Sequence, residues 1–220
     1  GPGRTRLPAV RQYGGRLQAS RSIVWESMAR PRKSESIDTK KALSDAAIAA
    51  FAANGFQRTA LDEIASTVGV SRTTLLYHYK SKTNLYNEIV SQAFANLSKA
   101  LLDSIAIGGS MNTRVKRVLK SFLSHVEANP ELSKLLLREL IAEDTDGAQL
   151  IIDKGLPILE IVEDFMAELG QLRKSQRPML REVLIQITSS IIVKSSCGSL
   201  RTKIWGGSDR TVELAYTLLE

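Results

Sequence analysis

Residues 59 to 79 read TALDEIASTVGVSRTTLLYHY, and the spacing within this stretch decides the fold. Leu61, Ile64, Ala65 and Val68 recur at helical intervals behind Thr59 and Asp62, which together have the Ser/Thr-x-x-acid form of a helix start. Gly69 stops that helix, and Ser71 stands where the N-cap of a second helix belongs. Two helices joined this tightly cross closely only where the first offers a small side chain and the turn offers a residue that tolerates positive φ. Ala65 and Gly69 meet those two needs. Leu75, six positions past Gly69, then faces inward onto Ile64 and Val68, so the pattern reads as a helix-turn-helix.

With Leu75 as the inward direction and about 100° per residue, Thr73 and Tyr77 face away from the core. Arg72, Thr74 and Leu76 lie on the flanks. An arginine there can fork onto guanine, Thr73 can offer a methyl or hydroxyl to a base edge, and Thr74, Tyr77 and His78 can reach phosphates or a thymine methyl. Lys82, in the first turn of the next helix, adds a cation to free backbone N–H groups suited to phosphate, and Thr59 stands in the same relation to the earlier helix. The expected DNA-binding set is therefore Thr59, Arg72, Thr73, Thr74, Tyr77, His78 and Lys82. No acidic residue falls between Ile64 and Asn87, whereas Arg72, Lys80 and Lys82 do.

Outward from the motif the chain reads as helix throughout. Leu43, Ala47, Ala50 and Phe51 predict a helix from Asp38 to a stop at Asn54-Gly55, and Ser81 caps a fourth helix that runs through Leu85, Ile89, Phe94, Leu97 and Leu101 to Gly108-Gly109. Further helices are expected over about 112–128, 131–143, 147–170, 176–200 and 209–220. Pro157, two residues after Gly155, predicts a kink or split in the third of these. No strand pair is evident. The fold class is all-α, with a helix-turn-helix module over residues 37–84 and a larger helical domain over 85–220.

The net charge of +7 is made mostly by the first 36 residues, which carry eight Lys/Arg against two Glu. That segment lacks helical periodicity over its first 27 residues and is expected to be a disordered basic leader or tag, with a natural start at Met28; a basic arm that touches DNA is the alternative. No apolar run approaches the ~18 residues of a membrane helix, and no secretory h-region is present. One cysteine, Cys197, and two histidines, His78 and His125, give neither an internal disulfide nor a protein-only metal site, and no cofactor is implied. A reducing cytoplasm is the expected compartment.

AAIAAFAANGF at residues 46–56, Thr59, Ile64-Ala65, GVSRTTLLYHYKSK at residues 69–82 and Leu85 together resemble the tetracycline-repressor (TetR) family of bacterial regulators. The resemblance covers about 50 of the 220 residues. Thr73 stands where that family often has glycine, Leu76 where it often has tyrosine, and Tyr79 where phenylalanine is usual. The resemblance implies a homodimer that binds a palindromic double-stranded operator as a repressor and releases it when the C-terminal helices take up a small molecule. It also implies that the last two long helices pair with those of a partner subunit.

The residues themselves point to an apolar or amphipathic effector. Leu97, Leu101, Val118, Leu136, Leu140, Ile151, Ile158 and Ile161 supply an aliphatic lining with few aromatics. Leu101, Phe122, His125, Leu140 and Ile158 are the candidate effector residues, although a histidine alone on an apolar helix, as His125 is, reads more readily as a hydrogen-bonded core histidine than as an effector ligand. Met179, Leu180, Val183, Leu184, Ile187 and Ile191 make a helix too apolar for one covered face. Intrachain packing could supply the cover, but the small residues Ser189, Ser190, Ser195, Ser196 and Gly198 together with the resemblance favour a partner subunit, so residues 176–220, Ile187 and Ile191 among them, are expected at a subunit interface. A helical enzyme or carrier with an incidental helix-turn-helix is the rival reading, but no catalytic set of acid, base and nucleophile is visible.

Overall fold

A computed structural model describes residues 33–142, 145–206 and 210–219, with side-chain surroundings from Asp38 onward. Two compact units meet at Asp38, and of the first only the helical residues from Lys33 are described. The expected leader up to residue 32, with its start at Met28, lies outside the described residues. Every described element of the second unit is helical.

The first helix, α1 (Lys33–Arg58), begins five residues before the expected start. Gly55, at φ +77°, breaks its helical geometry at the predicted stop, and Phe56 turns back onto the core. α2 (Leu61–Thr67) and α3 (Arg72–Tyr79) follow, joined through Gly69 at φ +75°. The Ser71 hydroxyl accepts from Thr74 N, and in the same way Ser81 caps α4 (Lys82–Ala106) by accepting from Asn84 N. Leu43, Phe51, Ile64, Ala65, Leu75 and Leu85 are buried together, so α1 to α4 share one core in which Ala65 occupies the close crossing.

The remaining helices are α5 (Met111–Ala128), α6 (Pro130–Ala142), α7 (Asp146–Leu169), α8 (Arg177–Ser196), α9 (Leu200–Trp205) and α10 (Thr211–Thr217). Their core is built from Leu101, Val118, Phe165, Leu180, Leu184 and Ile187, with α4 reaching into it from the first core. α7 runs unbroken through Pro157, so the predicted split does not occur. Pro157 offers no N–H to the helical ladder, while Ile151, Phe165 and Met166 on either side of it are buried in the two cores. The helix expected over 176–200 ends instead at Ser196, since Gly198 adopts φ +52° before α9 begins.

Ile187 and Ile191 are 5% and 3% exposed inside the single chain. They are therefore not available to a partner, in contrast to the expectation from the sequence. The periodicity shows that α8 needs cover on more than one side, but α5, α6 and α7 supply it on the side that carries these two residues. The outward face of α8 carries Met179 and Val193.

Candidate nucleic-acid interface and helical cavity

α3 is held from behind and left open in front. Leu75 and Tyr79 are buried, and the Tyr79 hydroxyl donates to the Lys40 carbonyl (2.9 Å) while accepting from the Ser44 hydroxyl (2.7 Å). This hydroxyl fixes the end of α3 to α1. Phenylalanine at that position would lack the tie. In front, Thr73 is exposed and Tyr77 is 70% exposed. Arg72 is also exposed and pairs with Asp62 of α2 at 2.7 Å. That pair is solvated on both sides, worth about 0–1 kcal/mol, so the guanidinium is easily shared with or yielded to another acceptor.

The flanks differ from the sequence reading in detail. Thr74 is half-buried and its hydroxyl hydrogen-bonds the Ser71 hydroxyl (2.9 Å), so it braces the cap. His78 is half-buried with its ring edge-on to Tyr77, centroids 5.4 Å apart. Lys80 places its ammonium 6.0 Å from the Tyr77 ring centre and stands at φ +65° just past α3. Lys80 thus lies against the exposed Tyr77, and it is absent from the DNA-binding set expected from the sequence.

Two expected phosphate contacts are turned inward. Thr59 is 2% exposed, and its hydroxyl donates to the carbonyls of Gly55 (2.8 Å) and Ala50 (3.2 Å), while its backbone N–H also reaches Gly55 O (3.3 Å). Ala60, not Thr59, is the N-cap of α2. The cause is the Gly55 break, which leaves carbonyls at the end of α1 without helical partners and presents them to Thr59. Lys82 is likewise drawn back: its ammonium donates to Gln57 O (3.1 Å) and lies 4.7 Å from the Phe56 ring centre, and burial lowers its pKa. It joins the start of α4 to the end of α1.

A cavity of about 280 Å³ opens among α4, α5, α6, α7 and α8. All five candidate effector residues, Leu101, Phe122, His125, Leu140 and Ile158, line it. Of the wider aliphatic set only Ile161 does not, being exposed on the outer side of α7. His125 does not behave as a hydrogen-bonded core histidine, because its Nε2 is shielded from solvent and has no partner. Burial lowers its pKa, which keeps the imidazole neutral.

α6 borders the cavity on one side and the end of α1 on the other. Leu132, Leu136 and Leu140 line the cavity, whereas Arg138 reaches the other way and donates to Ala52 O (3.2 Å) and Ala53 O (2.7 Å) at the end of α1. Next to it, buried Glu139 accepts from the Thr145 hydroxyl (2.9 Å) and sits close to Tyr86 of α4 and to Gly147. Tyr86 Oη has no hydrogen-bond partner, and burial first, then the nearby Glu139, raises its pKa.

The described residues thus combine a helix-turn-helix at one end with a cavity among the later helices. Residues 43–89 match the family model described as bacterial regulatory proteins, tetR family. Over those residues the chain is similar to that family. It is 32% identical over 115 residues to the HTH-type transcriptional regulator RutR of Escherichia coli K12, the match covering 52% of each chain. The chain thus spans about half the length of the curated relatives it matches. Among solved structures it is similar to a TetR-like transcriptional regulator from Rhodococcus sp. RHA1, with TM-score 0.67 and 19% identity over 86% of this chain and 96% of that one. FadR from Bacillus subtilis in complex with stearoyl-CoA gives TM-score 0.64 and 15% identity over 81% and 95%. These two likenesses concern the fold.

Proposed function

We propose that the protein is a transcriptional repressor, acting in the cytoplasm as a homodimer, that binds a palindromic operator and releases it when a small molecule enters the cavity. One observation carries the reading: a short helix locked at Leu75 and Tyr79 presents Thr73 and Tyr77 outward beside Arg72 and Lys80, with no acidic residue on that helix. A helix exposing such a face is built for the major groove, with side chains for base edges and cations for phosphate. The curated relatives are named as transcriptional regulators and operon repressors, which supports the same conclusion. The FadR structure, described with stearoyl-CoA, supports an aliphatic ligand for this architecture.

The test begins with selection of bound fragments from genomic DNA, followed by affinity measurements at fixed salt. Thr73→Ala and Tyr77→Ala are expected to weaken the selected site by roughly 1–3 kcal/mol each while leaving non-specific binding unchanged. Because both side chains are exposed, thermal stability should not move. Full specific affinity in both variants would remove α3 as the reading helix.

A further inference from the structure

The cavity's chemistry narrows what it can hold. None of the residues lining it is charged, and nearly all are aliphatic, with Phe94 and Phe122 the aromatic exceptions. Its polar groups gather where α5 meets α6: His125 and Asn129 stand one helical turn apart, and Ser133, whose N–H donates to Asn129 O (3.2 Å), follows one turn later. Asn129 already donates its amide to His125 O (2.7 Å), and Thr188, from α8, donates to Leu184 O (2.7 Å). His125 Nε2 remains without a partner in a shielded position. A buried polar atom left unpaired is costly, and a ligand that pairs it recovers that loss.

On the reading of the cavity as the effector site, we infer that it takes an uncharged, mainly aliphatic molecule whose single hydroxyl or carbonyl group hydrogen-bonds His125 Nε2. An ionised carboxylate would have to leave water for a site with no lysine or arginine to balance it, and an ammonium would meet no carboxylate. Arg114 lies outside the lining, its guanidinium 4.9 Å from the Phe165 ring and donating to Ile105 O (3.4 Å), with its Nε buried and unpaired. A neutral imidazole suits a neutral partner, since either of its tautomers presents one donor and one acceptor. The volume of about 280 Å³ sets the size. A space of that size suits a short aliphatic chain. Flexible aliphatic walls fit a chain of that length better than a fused aromatic plate.

Calorimetry on the full chain at pH 8 with 1-octanol, 2-octanone, octanoate and octylammonium tests the inference directly. Octanol and octanone should bind, and the two ions should bind on the order of ten-fold or more weaker. His125→Leu should weaken octanol by on the order of ten-fold with no loss of thermal stability, because the variant removes an unpaired buried atom. Octanoate binding as tightly as octanol, octanol indifferent to His125→Leu, or no binding by either neutral probe would each overturn it. The ranking of the four probes on the unmodified protein decides the matter if that variant fails to fold. Operator affinity is measured separately with and without octanol. Binding of octanol without operator release would refute the regulatory reading while supporting the ligand class.

Discussion

Thr59 shows how a residue can fit a sequence pattern and do something else. Thr59 and Asp62 have the spacing of a capping motif, as do Ser71 and Ser81 with the residues after them, yet only the two serines cap. Ser71 and Ser81 have no competing acceptors beside them, whereas Thr59 follows the Gly55 break and meets the Gly55 and Ala50 carbonyls. Thr59→Val is expected to lower stability by about 1 kcal/mol, the worth of a buried hydrogen bond, and to leave operator affinity unchanged. Denaturant midpoints and binding on the same preparations give both numbers. Weakened operator binding with unaltered stability would return Thr59 to the DNA-facing set. The outward residues were legible because helical periodicity fixes direction, as it did for Thr73 and Tyr77. The direction of a hydroxyl in a loop depends on which carbonyls a distant break has freed, and Lys82 escaped the sequence reading for the same reason.

At the scale of elements, the helix order and most boundaries followed from glycine stops and serine caps, while the contacts between elements did not. Arg138 and its acceptor at Ala52 are 86 positions apart, and nothing in the local pattern of α6 announces the pairing. The consequence is mechanical. α4 joins the two regions, since it begins at Lys82 and ends in the cavity's core. α6 offers a second route, because its apolar face lines the cavity and its Arg138 holds the last carbonyls of α1. Arg138→Ala is expected to leave ligand affinity for the free protein unchanged and to reduce the coupling between ligand and operator by about 1 kcal/mol. Ligand titrations with and without operator measure that coupling. An unaltered coupling in the variant would leave α4 as the transmitting element.

Exposed apolar side chains occur on several of the later helices, α7 and α8 among them. Met179 and Val193 lie on the outward side of α8, and Ile152 and Leu156 are exposed one turn apart on α7. Ser189 and Ser190, also exposed on α8, are small enough to let another helix approach closely. The sequence reading placed a partner on α8 and chose Ile187 and Ile191 as its contacts, because composition shows how much apolar surface a helix must bury but not how the chain's own helices divide it. The structure assigns those two to the intrachain core, so the test of the proposed homodimer moves to the opposite face. Met179→Glu and Val193→Glu are expected to give folded monomers, with helical content and cavity binding retained, since neither side chain enters either core. Ile187→Glu should instead unfold the domain, a buried unpaired carboxylate costing several kcal/mol. Sedimentation and circular dichroism separate the two outcomes. A dimer that persists in both outward variants would put the subunit contact elsewhere. Monomers would also bind the operator more weakly than the dimer, because a palindrome read by two linked helices gains from their joint attachment, and that advantage disappears when the two α3 helices are no longer held together.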